Sequence, residues 1–88
     1  MTDRKEYYKY QKKVIIRIIE LLDKKVKHKK KEVKMYAYIN YLEKHTALRR
    51  SRIKKILDVE ANKLLSIRES YEIAKALGVE LYELFEID

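Results

Sequence analysis

Ala47-Leu48-Arg49-Arg50-Ser51-Arg52-Ile53-Lys54-Lys55-Ile56-Leu57 sorts its residues by chemistry at helical spacing. On a helix of 3.6 residues per turn, Leu48, Ile53, Ile56 and Leu57 fall on one stripe. Arg49, Arg50, Arg52, Lys54 and Lys55 fill the other side. The spacing predicts a helix over 48–57 with an apolar back and a cationic front. Such an element has the shape and charge to enter the major groove of DNA. The flanking segments are then expected to hold this helix and to aim it.

Upstream, a first helix is predicted from about residue 1 to Lys25, capped by Thr2 or Asp3. Tyr8, Ile15, Ile18, Ile19 and Leu22 share its apolar face, with Gln11 interrupting that face and Val14 beside it. Packing is the simpler account of Tyr7, Tyr8 and Tyr10, and a partner surface is the other. Residues 24–34 form a lysine-rich link whose seven lysines repel one another and favour solvent. A second helix over 32–44 has Met35, Tyr38, Ile39 and Leu42 as its stripe, and His45, Thr46 and Ala47 make the turn that follows. Downstream, 58–65 is a connector, partly packed through Val59, Ala61, Leu64 and Leu65. Ser66 and Glu69 have the capping-box spacing for a helix over 66–77, and Gly78 stands where such a helix ends. A short helix over 80–85 is expected to bury Leu81, Leu84 and Phe85. The whole reads as all-α: a single domain, 1–88, built as a compact bundle of about five helices.

Charge is distributed unevenly. Residues 1–58 carry 19 Lys/Arg and 7 Asp/Glu, net +12, whereas 59–88 carry 3 and 7, net −4. A molecule charged in this way offers one side to a polyanion, nucleic acid first and an anionic membrane surface second. The most apolar segment, 14–22, is interrupted by Arg17 and Glu20 and falls well short of the roughly 20 apolar residues that span a bilayer. No signal-peptide pattern opens the chain, so a cytoplasmic setting is expected.

Catalytic chemistry finds no footing. The chain has no cysteine, hence no disulfide framework, thiolate metal site or thiol nucleophile. His28 and His45 lie on different segments without a metal-like cluster. One glycine cannot build a phosphate-binding loop. No serine or threonine sits in a nucleophile-elbow context. Glu69, Glu72, Glu80, Glu83 and Glu86 read as solvated helix faces. No enzyme activity, cofactor, metal or small-molecule ligand is expected.

Ser66-Ile67-Arg68-Glu69-Ser70-Tyr71-Glu72-Ile73-Ala74-Lys75-Ala76-Leu77-Gly78-Val79, followed by Glu80-Leu81-Tyr82-Glu83-Leu84-Phe85, resembles part of the phage-repressor (Cro-like, XRE-type) helix-turn-helix family. The likeness is to that family's fourth helix, its Leu-Gly-Val ending and its Leu-x-x-Leu-Phe fifth helix. Leu48-Arg49-Arg50-Ser51-Arg52-Ile53-Lys54-Lys55-Ile56 is similar to its recognition helix, in which the leucine anchors the turn and the isoleucines pack inward. The resemblance covers 38–85, and 1–13 extends beyond the family's usual start. Ala47 replaces the usual turn glycine, Glu43 stands where a small residue is expected, and Leu65 replaces a proline. The recognition and fourth helices are also about two residues further apart than is usual.

The resemblance implies a lambda-repressor-like fold and a sequence-specific double-stranded DNA-binding transcriptional regulator, prokaryotic or mobile-element in origin and nucleoid-associated. It would repress by occluding a promoter, as a homodimer on a pseudo-palindrome with half-sites about 34 Å apart. The tyrosine-rich first helix, or Tyr82 and Ile87, could supply the dimer surface, and the chain does not choose between them. Arg49, Arg50 and Ser51 are expected to read bases, because a guanidinium fork pairs bidentately with guanine. Arg52, Lys54, Lys55 and Lys44 would hold the backbone, with Lys30 and Lys31 of the link as a phosphate-contacting arm. An alternative from another class is a phage-type protein-binding module or inhibitor on the same scaffold. A weaker one is RNA binding through Tyr36, Tyr38 and Tyr41.

Overall fold

The computed structural model describes residues 4–26, 34–61 and 65–85, and every regular element among them is helical. Helix α1 spans Arg4–Lys25, α2 Lys34–His45, α3 Arg50–Leu57 and α4 Ile67–Leu77, and a 3-10 helix, Leu81–Phe85, follows. The expected caps Thr2 and Asp3 lie outside the described residues, as do Lys30 and Lys31 of the link, His28, Leu64, Glu86 and Ile87.

Helix α1 is the axis of the bundle and packs against all the other elements. Its 22 residues reach about 33 Å and account for most of the 43 Å long dimension. The buried stripe is Gln11, Val14, Ile15, Ile18 and Leu22. The face is shifted towards Val14 relative to the expected one, with Gln11 on it as its spacing predicts. Gln11, at four and seven residues from Ile15 and Ile18, shares their side of the helix and is only 8% exposed. Val14 is central, while Tyr8 and Ile19 sit half-buried at the edges. Helical spacing places these residues, and polarity does not displace the glutamine.

Against α1 lie Tyr38, Ile39 and Leu42 of α2, Ile53, Ile56 and Leu57 of α3, Ile73, Ala74 and Leu77 of α4, and Leu84. Each large aliphatic side chain fully removed from water contributes about 1.5–3 kcal/mol. Tyr38 also donates its hydroxyl to Asp23 Oδ1 at 2.8 Å. Burial and that carboxylate push the hydroxyl up to about 12, so it stays a donor. Two expected core residues are exposed instead. Met35 sits in the first turn of α2 and faces solvent. Phe85 is also exposed, because a 3-10 helix repeats every three residues, stacking Leu81 on Leu84 and turning Phe85 away.

Helix α4 begins and ends as its sequence predicts. The Ser66 side chain accepts from the Glu69 N–H, and the Glu69 side chain accepts from the Ser66 N–H, closing a capping box. Gly78 ends the helix at φ +72°, a left-handed conformation that costs glycine nothing sterically.

Candidate nucleic-acid interface

Helix α2 runs through His45, one residue further than its spacing suggested, and α3 starts at Arg50 rather than at Leu48. The connection 46–49 has no glycine, and side chains build it instead. Thr46 donates its hydroxyl to the Leu42 carbonyl at 2.6 Å and accepts from the Leu48 N–H at 3.2 Å. The Ala47 N–H donates to Glu72 of α4 at 2.9 Å. Leu48 is half-buried beneath the turn, and Arg49 occupies the N-cap position of α3 with no side-chain cap.

Ile53, Ile56 and Leu57 seat α3 on the core. At 100° per residue, the ridge opposite them carries Ser51, Lys54, Lys55 and Asp58, all exposed. Arg49 and Lys44 are exposed as well. No ion pair among the described residues uses Arg49, Lys54, Lys55 or Lys44.

The other two arginines stand on the flanks of that ridge, and both are held. Arg50 Nη1 donates to Asn40 Oδ1 of α2 at 2.7 Å and lies 3.3 Å from Glu43 Oε1. Both contacts use one terminal nitrogen, so the guanidinium is oriented while its other donors stay uncommitted by them. Arg52 faces α4 and meets Glu69 as a fork, Nε to Oε2 at 2.5 Å and Nη2 to Oε1 at 2.7 Å. That fork holds the Glu69 carboxyl well below the usual range, at about 2, against the opposing effect of burial. The same partner raises the Arg52 guanidinium above its ordinary value.

Thus Glu69 and Glu72 are not the solvated carboxylates expected of them. Their side chains are 14% and 21% exposed, and they tie α4 to α3 and to the turn before it. Asn40, Glu43, Glu69 and Glu72 all shape the interface, and none was among its expected residues. Asn40 and Glu43, three apart on the outer side of α2, carried a usable signal. Glu69 and Glu72 depend on how α4 crosses α3, which helical period does not encode.

Aromatic platforms for single strands are few here. Tyr38 is buried, and Tyr41 donates to the Ala76 carbonyl at 2.8 Å and packs its ring 4.4 Å from that of His45. Only Tyr36 of the three candidates is substantially exposed. It lines a shallow apolar groove of about 570 Å³ with Met35, Ile39, Leu57 and Val59, bordered by Lys54 and Asp58. Among the described residues no group of His, Cys, Asp and Glu is placed to hold a metal ion, and no helix is long and apolar enough to cross a membrane. No protein-family model, curated protein or solved structure matches the chain.

Proposed function

We propose that the chain is a sequence-specific double-stranded DNA-binding regulator, with α2, the 46–49 turn and α3 as a helix-turn-helix and α3 in the major groove. One observation carries this reading: α3 turns Ser51, Lys54 and Lys55 outward, with Arg49 exposed at its N-cap, and none of the three cations is paired with the carboxylates that neutralise the flanks of the helix. An exposed ridge whose Lys54 and Lys55 enter no ion pair among the described residues, on a short helix backed by a packed core, suits a phosphate-lined groove. Arg49, Ser51 and the oriented Arg50 are the base readers in this reading, and Lys54, Lys55 and Lys44 hold phosphates. Arg52 becomes a structural clamp rather than a backbone contact. The phage-repressor (Cro-like, XRE-type) resemblance supplies the rest of the reading. The protein represses by occluding a promoter, binds as a homodimer, and is neither an enzyme nor a ligand sensor.

Selection of bound DNA from a random duplex pool tests this. The expected product is a pseudo-palindromic motif with half-sites about one helical turn apart. A pool that gains no motif after repeated rounds refutes the reading. The apolar groove beside Tyr36 favours one second reading, a scaffold that binds an apolar segment of a protein partner. Capture of one partner that survives nuclease, abolished by Met35→Asp, is the result that reading requires.

A further inference from the structure

Met35 and Tyr36, in the first turn of α2, are 42% and 60% exposed, although each carries a large apolar side chain. They wall the groove of about 570 Å³ where α2 meets α3. Ile39 and Leu57, both buried, are its floor, and Val59, just past α3, is half-buried at its edge. Two charges border it, Lys54 and Asp58, four residues apart at the end of α3. No ion pair among the described residues uses either. Their order explains why they do not pair with each other. A base N-terminal to an acid at this spacing is the weaker arrangement, and Asp58 Oδ1 already accepts from the Glu60 N–H at 3.0 Å. The groove therefore has an apolar floor and one charge of each sign on its rim, about 6 Å apart on the helical repeat.

We propose that this groove takes an amphipathic helix of a partner protein, with an acid against Lys54 and a base against Asp58, and that this helix and duplex DNA exclude one another. A cleft between two helices accepts a third with its apolar ridge inward. An acid and a base four apart on that helix have the same separation as the rim charges. The exclusion is steric. Helices about 10 Å across, packed about 8–10 Å apart, make α3 and its neighbour about 20 Å wide together. The major groove is about 12 Å wide and admits one of them. The acid of the docked helix also engages Lys54, which the DNA-binding reading gives to phosphate. The inference rests on that reading for the exclusion, and the docking itself is measured without DNA.

A second copy of the chain does not suit this groove. A two-fold contact here would set the two α3 helices side by side, about 8–10 Å apart, whereas half-sites one helical turn apart need about 34 Å. Nor do the other exposed aromatics offer an equal floor. The groove at Tyr71 runs between Lys44 and Lys75, and its remaining apolar residues are two alanines. Tyr10 is tied into the fold, its hydroxyl donating to the Phe85 carbonyl at 3.0 Å.

A displayed library of helix-forming peptides of about 16 residues, panned on the full chain, supplies the probe. Enriched sequences are expected to carry apolar residues at helical spacing, with an acid and a base four apart. A synthetic copy of the commonest one, titrated into isotope-labelled chain, should move the NMR signals of Met35, Tyr36 and Val59 first. Tyr36→Ala, which truncates an exposed ring, should weaken its binding about tenfold without changing the melting curve. Lys54→Ala and Asp58→Asn should each weaken it about fivefold, the asparagine keeping an acceptor for the Glu60 N–H. Neither change should matter once the matching charge on the peptide is replaced by glutamine. At about ten times its Kd, the peptide should weaken binding of the selected duplex about tenfold. A library that yields nothing tighter than about 100 μM overturns the proposal. So does a peptide that binds elsewhere, one whose charges do not couple to Lys54 and Asp58, or one that stays on the DNA-bound chain. The same signals moving as the chain alone is concentrated would make a second copy the occupant and overturn it as well. A coupled peptide in the groove, together with a failed DNA selection, removes the regulator reading and the exclusion with it, and leaves the docking site standing.

Discussion

Replacing Glu69 by alanine should damage this protein more than any other change to an acidic surface position. The substitution deletes the fork on Arg52 and the acceptor for the Ser66 N–H in one step. Arg52 and Glu69 side chains are 32% and 14% exposed, so the pair lies between an exposed ion pair, about 0–1 kcal/mol, and a buried one, about 3–5 kcal/mol. About 2 kcal/mol for the fork and about half of a typical 1 kcal/mol cap give a loss of about 2–3 kcal/mol. A domain of 88 residues has roughly 4–13 kcal/mol in total, so the loss is large. It corresponds to a fall in Tm of roughly 10–20 °C. Urea and thermal unfolding followed by far-ultraviolet circular dichroism measure it. Arg52→Ala should cost less, because the cap survives, and a double-mutant cycle should return a coupling of about 1–2 kcal/mol. A loss below about 1 kcal/mol for Glu69→Ala, with no coupling to Arg52, would refute the clamp.

The same carboxylate sets an acid limb. Its pKa is about 2 in the fold, below the ordinary 4.5, so its stabilisation is complete above about pH 4.5 and fades as pH falls towards about 2. At most about 3 kcal/mol is involved, and Glu69→Gln should flatten that limb in urea titrations run across it. Asn40→Ala leaves Arg50 Nη1 held by Glu43 alone and should relax discrimination at one base pair about tenfold, with stability unchanged within about 0.5 kcal/mol, read by binding to single-base variants of the selected site. Gly78→Ala should cost about 1–2 kcal/mol in unfolding experiments. The added Cβ meets only Lys25 Nζ at 3.6 Å, so the positive φ carries the cost.

What the sequence discloses here is what repeats within a turn or two of helix. The Ser66–Glu69 box, the glycine stop and the buried trio of α3 are all local patterns, and all stand where their spacing put them. Gln11 lies on the face its spacing gives it, whereas Phe85 escapes burial because a 3-10 helix does not keep a 3.6-residue period. The glycine-free turn was harder, since its donor and acceptor partners come from Thr46 and from Glu72, 25 residues from Ala47. Arg52 and Glu69 are 17 apart, and Tyr10 and Phe85 are 75 apart. Such pairings follow from how helices cross, and no short-range period carries that information. Counting cations on α3 therefore overstated its free charge, although it located the cationic element.

That overstatement has a measurable size. Counting every basic residue first assigned to DNA gives eight per copy: Arg49, Arg50, Arg52, Lys54, Lys55, Lys44, Lys30 and Lys31. A dimer using all of them would neutralise about 16 phosphates, for a log–log salt slope near −14. Arg50 stands beside Glu43, and Arg52 is matched by Glu69, so neither brings net charge to the groove. Arg49, Lys54, Lys55 and Lys44 remain as the uncompensated exposed cations of the described interface. With Lys30 and Lys31, which lie outside the described residues, these make six per copy, about 12 phosphates per dimer and a slope near −11. Binding isotherms on the selected duplex across a salt series decide between the two. Removing the acid from one pair sharpens the comparison: Glu43→Gln frees the Arg50 charge and should steepen the slope by about 2 per dimer. A wild-type slope near −14, or one that Glu43→Gln leaves unmoved, would show that the flanking carboxylates do not hold those arginines once DNA is bound.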